Sequence, residues 1–414
     1  MVEIKLPYGK DASRTVEVPD RNFLGNLSPK DVMLGDRDDV INRSLDRPIG
    51  SAGIEQFLEG GKDVVFIVND GTRPTPTASV LEALSKRVDL SKFRFLVATG
   101  AHRGPNEEEL GFIFGGVLEK VRANIHSHDS RNDRCVHLGR SKNGTDMEVN
   151  EIAVNADRLI IITSVEPHYF AGYTGGRKSF LPGVASFRCI EQNHRLAMRK
   201  EAEVLRLEGN PVHEDMIDAL QVVKGKSIFS IQIVMDRHQN VYKVASGDLF
   251  SAFYKAVSWA DEVFSAELKE RADMVISVAP YPMDVDLYQS QKAIDNAKHA
   301  LKDGGVALLV SKCREGFGDD TFCKQLSSSN DPEAILRNME CEYRLGYHKA
   351  AKVAEMMCRS RIWAVTDLDP DELAGMNITP FKDVQEAVDT FLSERPDAKI
   401  LVMMDGSVTV PRVV

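Results

Sequence analysis

Leu159-Ile160-Ile161-Ile162, followed shortly by Glu166-Pro167-His168-Tyr169-Phe170-Ala171-Gly172-Tyr173-Thr174-Gly175-Gly176-Arg177-Lys178-Ser179-Phe180-Leu181-Pro182-Gly183, is the stretch from which the fold is read. An aliphatic run without polar alternation is the pattern of a strand buried on both faces, as in a parallel sheet covered by helices. The loop after it therefore starts at the carboxyl end of a parallel strand, where open α/β sheets hold ligands. Gly172, Gly175, Gly176 and Gly183 let backbone N–H groups approach a ligand closely, and His168, Arg177 and Lys178 stand among them.

The same pattern recurs upstream. Residues 64–68, Val-Val-Phe-Ile-Val, read as a buried strand ending in Asn69-Asp70-Gly71-Thr72-Arg73-Pro74. Thr75 then reads as the N-cap, and Pro76 as the first residue, of a helix reaching about Val88, which makes the Asp70-Gly71-Thr72-Arg73 turn a ready anion site. Residues 93–98 form another strand, Thr99-Gly100-Ala101-His102-Arg103 its turn, and residues 105–114 a helix whose Glu107 to Glu109 run complements the helix dipole. Three strand ends, each with an ionisable residue, converge on one crevice if the strands share a sheet.

Downstream, residues 186–205 read as a helix with Ile190, Asn193, His194 and Ala197 on one face. Gly209-Asn210-Pro211 breaks it, residues 213–222 are again helical, and residues 227–234 and 241–245 form a closing strand pair. A helix over residues 249–268 leads to a second α/β pattern. Its strand at 274–278 runs into Tyr281-Pro282 and on to a helix from about Gln289, on which Gln289 and Lys292 share a face at i and i+3. Residues 306–310, 362–365 and 399–402 are further strands separated by helices. The fold class expected is two α/β domains with largely parallel sheets: residues 1–268, residues 269–404, and a tail at 405–414 returning to the first domain.

At 414 residues the chain exceeds the size at which one core keeps growing, in line with two domains. A formal net charge of -10 argues against non-specific nucleic-acid binding and against an anionic membrane surface. With no apolar run near the roughly 18 residues of a membrane span, the reading is a soluble cytoplasmic protein. Six scattered cysteines without C-x-x-C spacing are expected to be free thiols. His126 and His128 are expected to face opposite ways and not to form a metal pair.

Several residues have ordinary readings too. Gly172 to Ser179 invites comparison with a P-loop, but Arg177 stands where that motif requires glycine. The loop is then either a structural turn with two exposed cations or an anion-binding loop whose Lys178 faces the ligand. His102 and His168 suit helix capping individually; as a pair at strand ends they suit proton transfer on two faces of one carbon. Arg73 either caps its turn or grips a carboxylate or phosphate in bidentate fashion. Gln289 and Lys292 suit a solvated helix face.

Taken in order, Leu6-Pro7-Tyr8-Gly9, Asp70-Gly71-Thr72-Arg73-Pro74, Gly100-Ala101-His102-Arg103, Glu166-Pro167-His168 through Gly175-Gly176-Arg177-Lys178, Asn193-His194, Gly209-Asn210-Pro211, and Tyr281-Pro282 through Tyr288-Gln289-Ser290-Gln291-Lys292 are specific. On these motifs the chain resembles the nickel-dependent lactate racemase family over nearly its whole length. The resemblance implies two α/β domains with the active site between them. It also implies a nickel pincer nucleotide, a pyridinium mononucleotide whose sulfur-containing arms hold the nickel, supplied by separate cofactor-synthesis proteins. By resemblance, Lys178 tethers the cofactor, His194 ligates nickel, and Asp70, Gly71, Thr72 and Arg73 surround the cofactor. His102 and His168 match the catalytic pair, and Gln289 and Lys292, with Arg73, match the substrate contacts. The implied reaction inverts a 2-hydroxy acid through a transient 2-keto acid. Lactate is the default substrate; a non-catalytic binder of a nucleotide or carboxylate is the alternative, and oligomeric state is not readable.

Overall fold

Residues 64–68 alternate between two apolar layers. Val64, Phe66 and Val68 belong to one buried cluster, and Val65 and Ile67 to another on the opposite side of the strand. Double-sided burial explains the missing polar alternation, and each such side chain contributes about 1.5–3 kcal/mol. The structure, a computed structural model, describes residues 1–221 and 225–414. It divides into two units, Asp31–Val263 and Met1–Lys30 with Phe264–Val414.

In the first unit the six-stranded sheet runs Val241–Gly247, Ser227–Met235, Arg158–Ser164, Val64–Asn69, Arg94–Ala98, Ile125–Ser127. All neighbours are parallel except the Ser227–Met235 and Val241–Gly247 pair. The order reverses between Val64–Asn69 and Arg158–Ser164, the crevice position of a doubly wound sheet. The turn from Asp70 and the loop from Val165 leave this junction side by side.

The second unit holds a six-stranded parallel sheet ordered Thr379–Pro380, Arg361–Val365, Leu301–Val310, Ala272–Val278, Ile400–Met403, Phe23–Leu27. The hairpin of Val2–Tyr8 and Ala12–Val18 contributes Ile4, Leu6, Val16 and Val18 to its core. The opening residues therefore join the second unit, not the first as expected from chain order. The tail also differs from expectation. Val410–Val413 pairs with Ser265–Leu268 of the same second unit, and the helix expected to reach residue 268 ends at Phe264.

Other differences are local. The helix expected from Pro76 is Thr77–Ser85 and lacks a side-chain cap; Thr75 instead bonds Asn69 Nδ2 at 3.0 Å and Ser164 Oγ at 2.9 Å. Its hydroxyl thus ties together the two strand ends at the crevice. The helix expected over 186–205 is Phe187–Arg195 followed by a short 3-10 turn. That expected over 213–222 is Pro211–Gln221, with Val222 outside the described residues. No described helix is long and apolar enough to cross a membrane.

Candidate active site

Asp70, at the end of Val64–Asn69, is 5% exposed, and its carboxylate is shared. Oδ1 accepts from the Thr72 hydroxyl at 2.7 Å, and Oδ2 lies 2.8 Å from His102 Nδ1. A carboxylate can only accept, so His102 carries a proton on Nδ1, and when the ring is neutral its Nε2 is the acceptor. The Thr99–Arg103 turn is fixed separately: His102 N–H donates to Thr99 O at 3.0 Å, and Arg103 is held by Glu109 at 2.7 and 2.9 Å. Glu109 also closes a capping box with Asn106, so the acidic run does more than complement the helix dipole. Gly71 packs on it, since a Cβ there would meet Glu109 Cγ at 2.8 Å.

His168 is held the other way round. Its Nδ1 accepts from the Ala171 N–H at 3.3 Å, which leaves the proton of a neutral ring on Nε2. Arg73 Nη1 donates to Glu166 Oε1 at 3.0 Å. Glu166, missed as a functional residue in the sequence, thereby orients the guanidinium next to the histidine loop.

Arg177 overturns the picture of two exposed cations. It is 1% exposed, and Nη1 and Nη2 donate to the carbonyls of Ala171, Tyr173, Thr174 and Gly175 at 2.8–3.3 Å. Nε donates to His213 Nδ1 at 3.0 Å. Burial and the adjacent guanidinium push the His213 imidazole down to about 3, keeping it a neutral acceptor. Arg177 is therefore the strut of the loop, not a ligand-facing cation. The loop is also pressed close to its surroundings: at Gly172, with φ of 75°, a Cβ would lie 2.2 Å from Arg206 O.

Lys178 has the opposite orientation. It lines a cavity of about 70 Å³ at the sheet crevice together with Asp70, Arg73, His102 and Thr174. Burial, then the Arg73 and Arg177 guanidiniums, pushes its ammonium well below the usual lysine range. His194, 9% exposed, lies in the last turn of Phe187–Arg195. Its neighbour Asn193 pins that turn to Val212 O at 3.3 Å and Asp215 Oδ2 at 3.0 Å. His168, His194 and Lys178 all lie against the ring of Phe170, at 4.5, 5.0 and 5.5 Å from its centroid.

The first unit thus brings together Asp70, Arg73, His102 and Lys178 around the cavity, with Thr72 bonded to Asp70 beside it, and His168, Lys178 and His194 around Phe170. Gly71 sits in the same turn. Gln289 and Lys292 lie on Leu287–Ala297 of the second unit, whose N-terminus is capped by Asp286 accepting from Gln289 N–H at 2.6 Å. His126 and His128 do not face apart. Both reach Asp133 Oδ2, at 2.8 and 3.4 Å, because residues i and i+2 of a strand share a face. Among the described residues no group of three or more His, Cys, Asp or Glu is arranged to hold a metal, and the cysteines are free.

Two family models divide the chain between them, the lactate racemase N-terminal domain over residues 8–205 and the lactate racemase C-terminal domain over 268–410. The chain is 33% identical to the lactate racemase of Thermoanaerobacterium thermosaccharolyticum, with 98% of each covered. The chain belongs to the lactate racemase family. It is also 31% identical to the lactate racemase of Lactiplantibacillus plantarum, over 98% of this chain and 99% of that one. The T. thermosaccharolyticum lactate racemase apoprotein structure superposes with a TM-score of 0.91 over 99% of this chain and 100% of that one, at 32% identity. A Thermotoga maritima protein, with a TM-score of 0.67 and 17% identity over 92% of this chain and all of that one, shares the fold. Membership in this racemase family makes the protein an isomerase.

Proposed function

We propose that the protein inverts a small 2-hydroxy acid, with lactate as the first candidate, using His102 and His168 as opposed proton carriers and a nickel pincer nucleotide as cofactor. The observation that supports this reading most directly is that both rings are anchored through Nδ1, His102 on the Asp70 carboxylate at 2.8 Å and His168 on the Ala171 N–H at 3.3 Å. A two-base inversion needs one neutral imidazole to take the hydroxyl proton and one imidazolium to give a proton on the other face, so the pair carries one positive charge at the start of a turnover.

The residues fit the cofactor in their chemistry. Lys178 offers an amine biased toward its neutral, nucleophilic form, suited to a covalent tether, and His194 offers a buried imidazole as a nickel ligand. At about 70 Å³ the cavity is sized for a small acid and is too small for a whole nucleotide. When bound, the cofactor supplies a centre that takes up hydride from the substrate carbon and returns it.

The chain's own groups do the rest. His102 Nε2 takes the hydroxyl proton, and the buried Asp70 carboxylate stabilises the imidazolium that forms. Arg73, oriented by Glu166, holds the carboxylate of the acid while its carbonyl turns over, and Gln289 and Lys292 add further contacts. His168, which enters the turnover as the imidazolium, then delivers a proton from Nε2 to the oxygen on the other face and is left neutral. Such a turnover leaves the two histidines with exchanged protonation, ready to invert the other enantiomer.

The test is to load the protein with the nickel pincer nucleotide and give it single enantiomers of a panel of 2-hydroxy acids, followed by chiral chromatography. Inversion of at least one acid, with deuterium at the substrate carbon retained in the product, is the expected result. No inversion at full nickel occupancy overturns the reading.

A further inference from the structure

We propose that Phe170 is a positioning residue that sets the His168 and His194 rings and walls off the Lys178 amine. The inference rests on the functional reading above, because its value lies in which groups share the ring.

Phe170 is 2% exposed. His168 meets it edge to face at 4.5 Å and 89°, and His194 at 5.0 Å and 69°. Lys178 Nζ lies 5.5 Å from the ring centroid, and Tyr169 adds a T-shaped contact at 4.7 Å and 83°. The ring's quadrupole gives such contacts an orientation preference that an aliphatic side chain lacks, so the ring limits the rotation of both imidazoles.

The ring is itself anchored by its backbone. Asn210 Nδ2 donates to Phe170 O at 2.9 Å, and Arg177 Nη2 to Ala171 O at 2.8 Å. Asn210 also caps Pro211–Gln221 through Oδ1, which accepts from Val212 N–H at 3.0 Å. The Gly-Asn-Pro motif, read in the sequence only as a helix breaker, thus fixes the backbone from which Phe170 projects. A filler of this volume needs no aromatic character. A ring touching the proton carrier, the nickel-ligand candidate and the tether candidate at once puts three functions under one side chain.

The test compares Phe170→Leu, Phe170→Met and Phe170→Tyr in the full chain, with folding checked by thermal melting. In the cofactor-loaded protein, Phe170→Leu and Phe170→Met are expected to lose about tenfold or more in turnover and also to lose nickel on desalting. Phe170→Tyr, which keeps the ring, is expected to retain both within about threefold. The double loss is diagnostic, since His168→Ala is expected to lose turnover alone. Folded Leu or Met variants with wild-type turnover and nickel overturn the proposal, as does a Tyr variant as impaired as they are.

A second readout needs no cofactor. Acetylation of Lys178 by acetic anhydride in the apoprotein, measured by peptide mass spectrometry against exposed Lys92, is expected to rise about tenfold in Phe170→Leu. An unchanged rate overturns the proposal. Wild-type protein that neither keeps nickel nor racemises an acid breaks the functional reading instead, and the labelling result then decides on Phe170 alone.

Discussion

Both units carry a sheet whose strand order reverses; among the described residues the first keeps a cavity at its crevice, and the second packs its own. Between Val64–Asn69 and Arg158–Ser164 the loops diverge around a cavity lined by Asp70, Arg73, His102 and Lys178. Between Ala272–Val278 and Ile400–Met403 the chain fills the junction itself. Gly406 N–H donates to Val278 O at 2.7 Å, Asn296 Nδ2 donates to Gly406 O at 2.8 Å, and a Cβ at Gly406 would lie 2.0 Å from Ser277 Oγ. A reversal in strand order therefore creates a place for a ligand, and the loop residues decide whether it becomes a site.

The largest expected effect is at the open crevice. His102→Ala or His168→Ala should lower kcat/KM by about 10³–10⁴-fold while nickel stays bound, as measured by chiral assay and metal analysis. Because two enantiomers have an equilibrium constant of one, kcat/KM must fall equally in both directions. Nearly full activity in either variant would break the assignment of chemistry to this crevice.

Asp70→Asn comes next. An amide can donate to Nδ1 and so stabilise the tautomer with the proton on Nε2, removing the open acceptor while leaving the shape intact. A loss of about 10²–10³ in kcat is expected. A smaller effect, about 10–100-fold in KM, is expected for Lys292→Ala, the loss of one charge-assisted contact under the proposed reading. A kcat loss as deep as that of His102→Ala would move chemistry into the second unit. The smallest effect is structural. Gly406→Ala should lower stability by about 1–3 kcal/mol in denaturant unfolding by overpacking the closed junction. Unchanged stability would mean that this junction has room after all.

The same contrast explains what the sequence disclosed. Residues 64–68 and 159–162 announced themselves because burial on both faces leaves a local signature, and the turns after them followed from strand and helix signals. Phe23–Leu27 had no such signature; its place beside Ile400–Met403 depends on a partner nearly the whole chain away. Arg177 and Lys178 are adjacent and chemically alike in sequence, but one donates into loop carbonyls and the other lines the cavity. Only the folded path of the loop separates them. Glu166 and Phe170 were within the quoted motif yet unassigned, because their partners Arg73 and His194 come from other elements. Family resemblance supplied roles for His194 and Lys178 that spacing alone did not.

The most direct measurement is long-range ¹H–¹⁵N NMR of protein labelled at its ten histidines, at a pH where the imidazoles are neutral, with His102 and His168 assigned from their Ala variants. The expected spectrum has the proton on Nδ1 in His102 and on Nε2 in His168. The same tautomer in both rings would contradict the opposed Nδ1 anchoring, on a carboxylate in one ring and on a backbone N–H in the other, from which the two proton carriers are read.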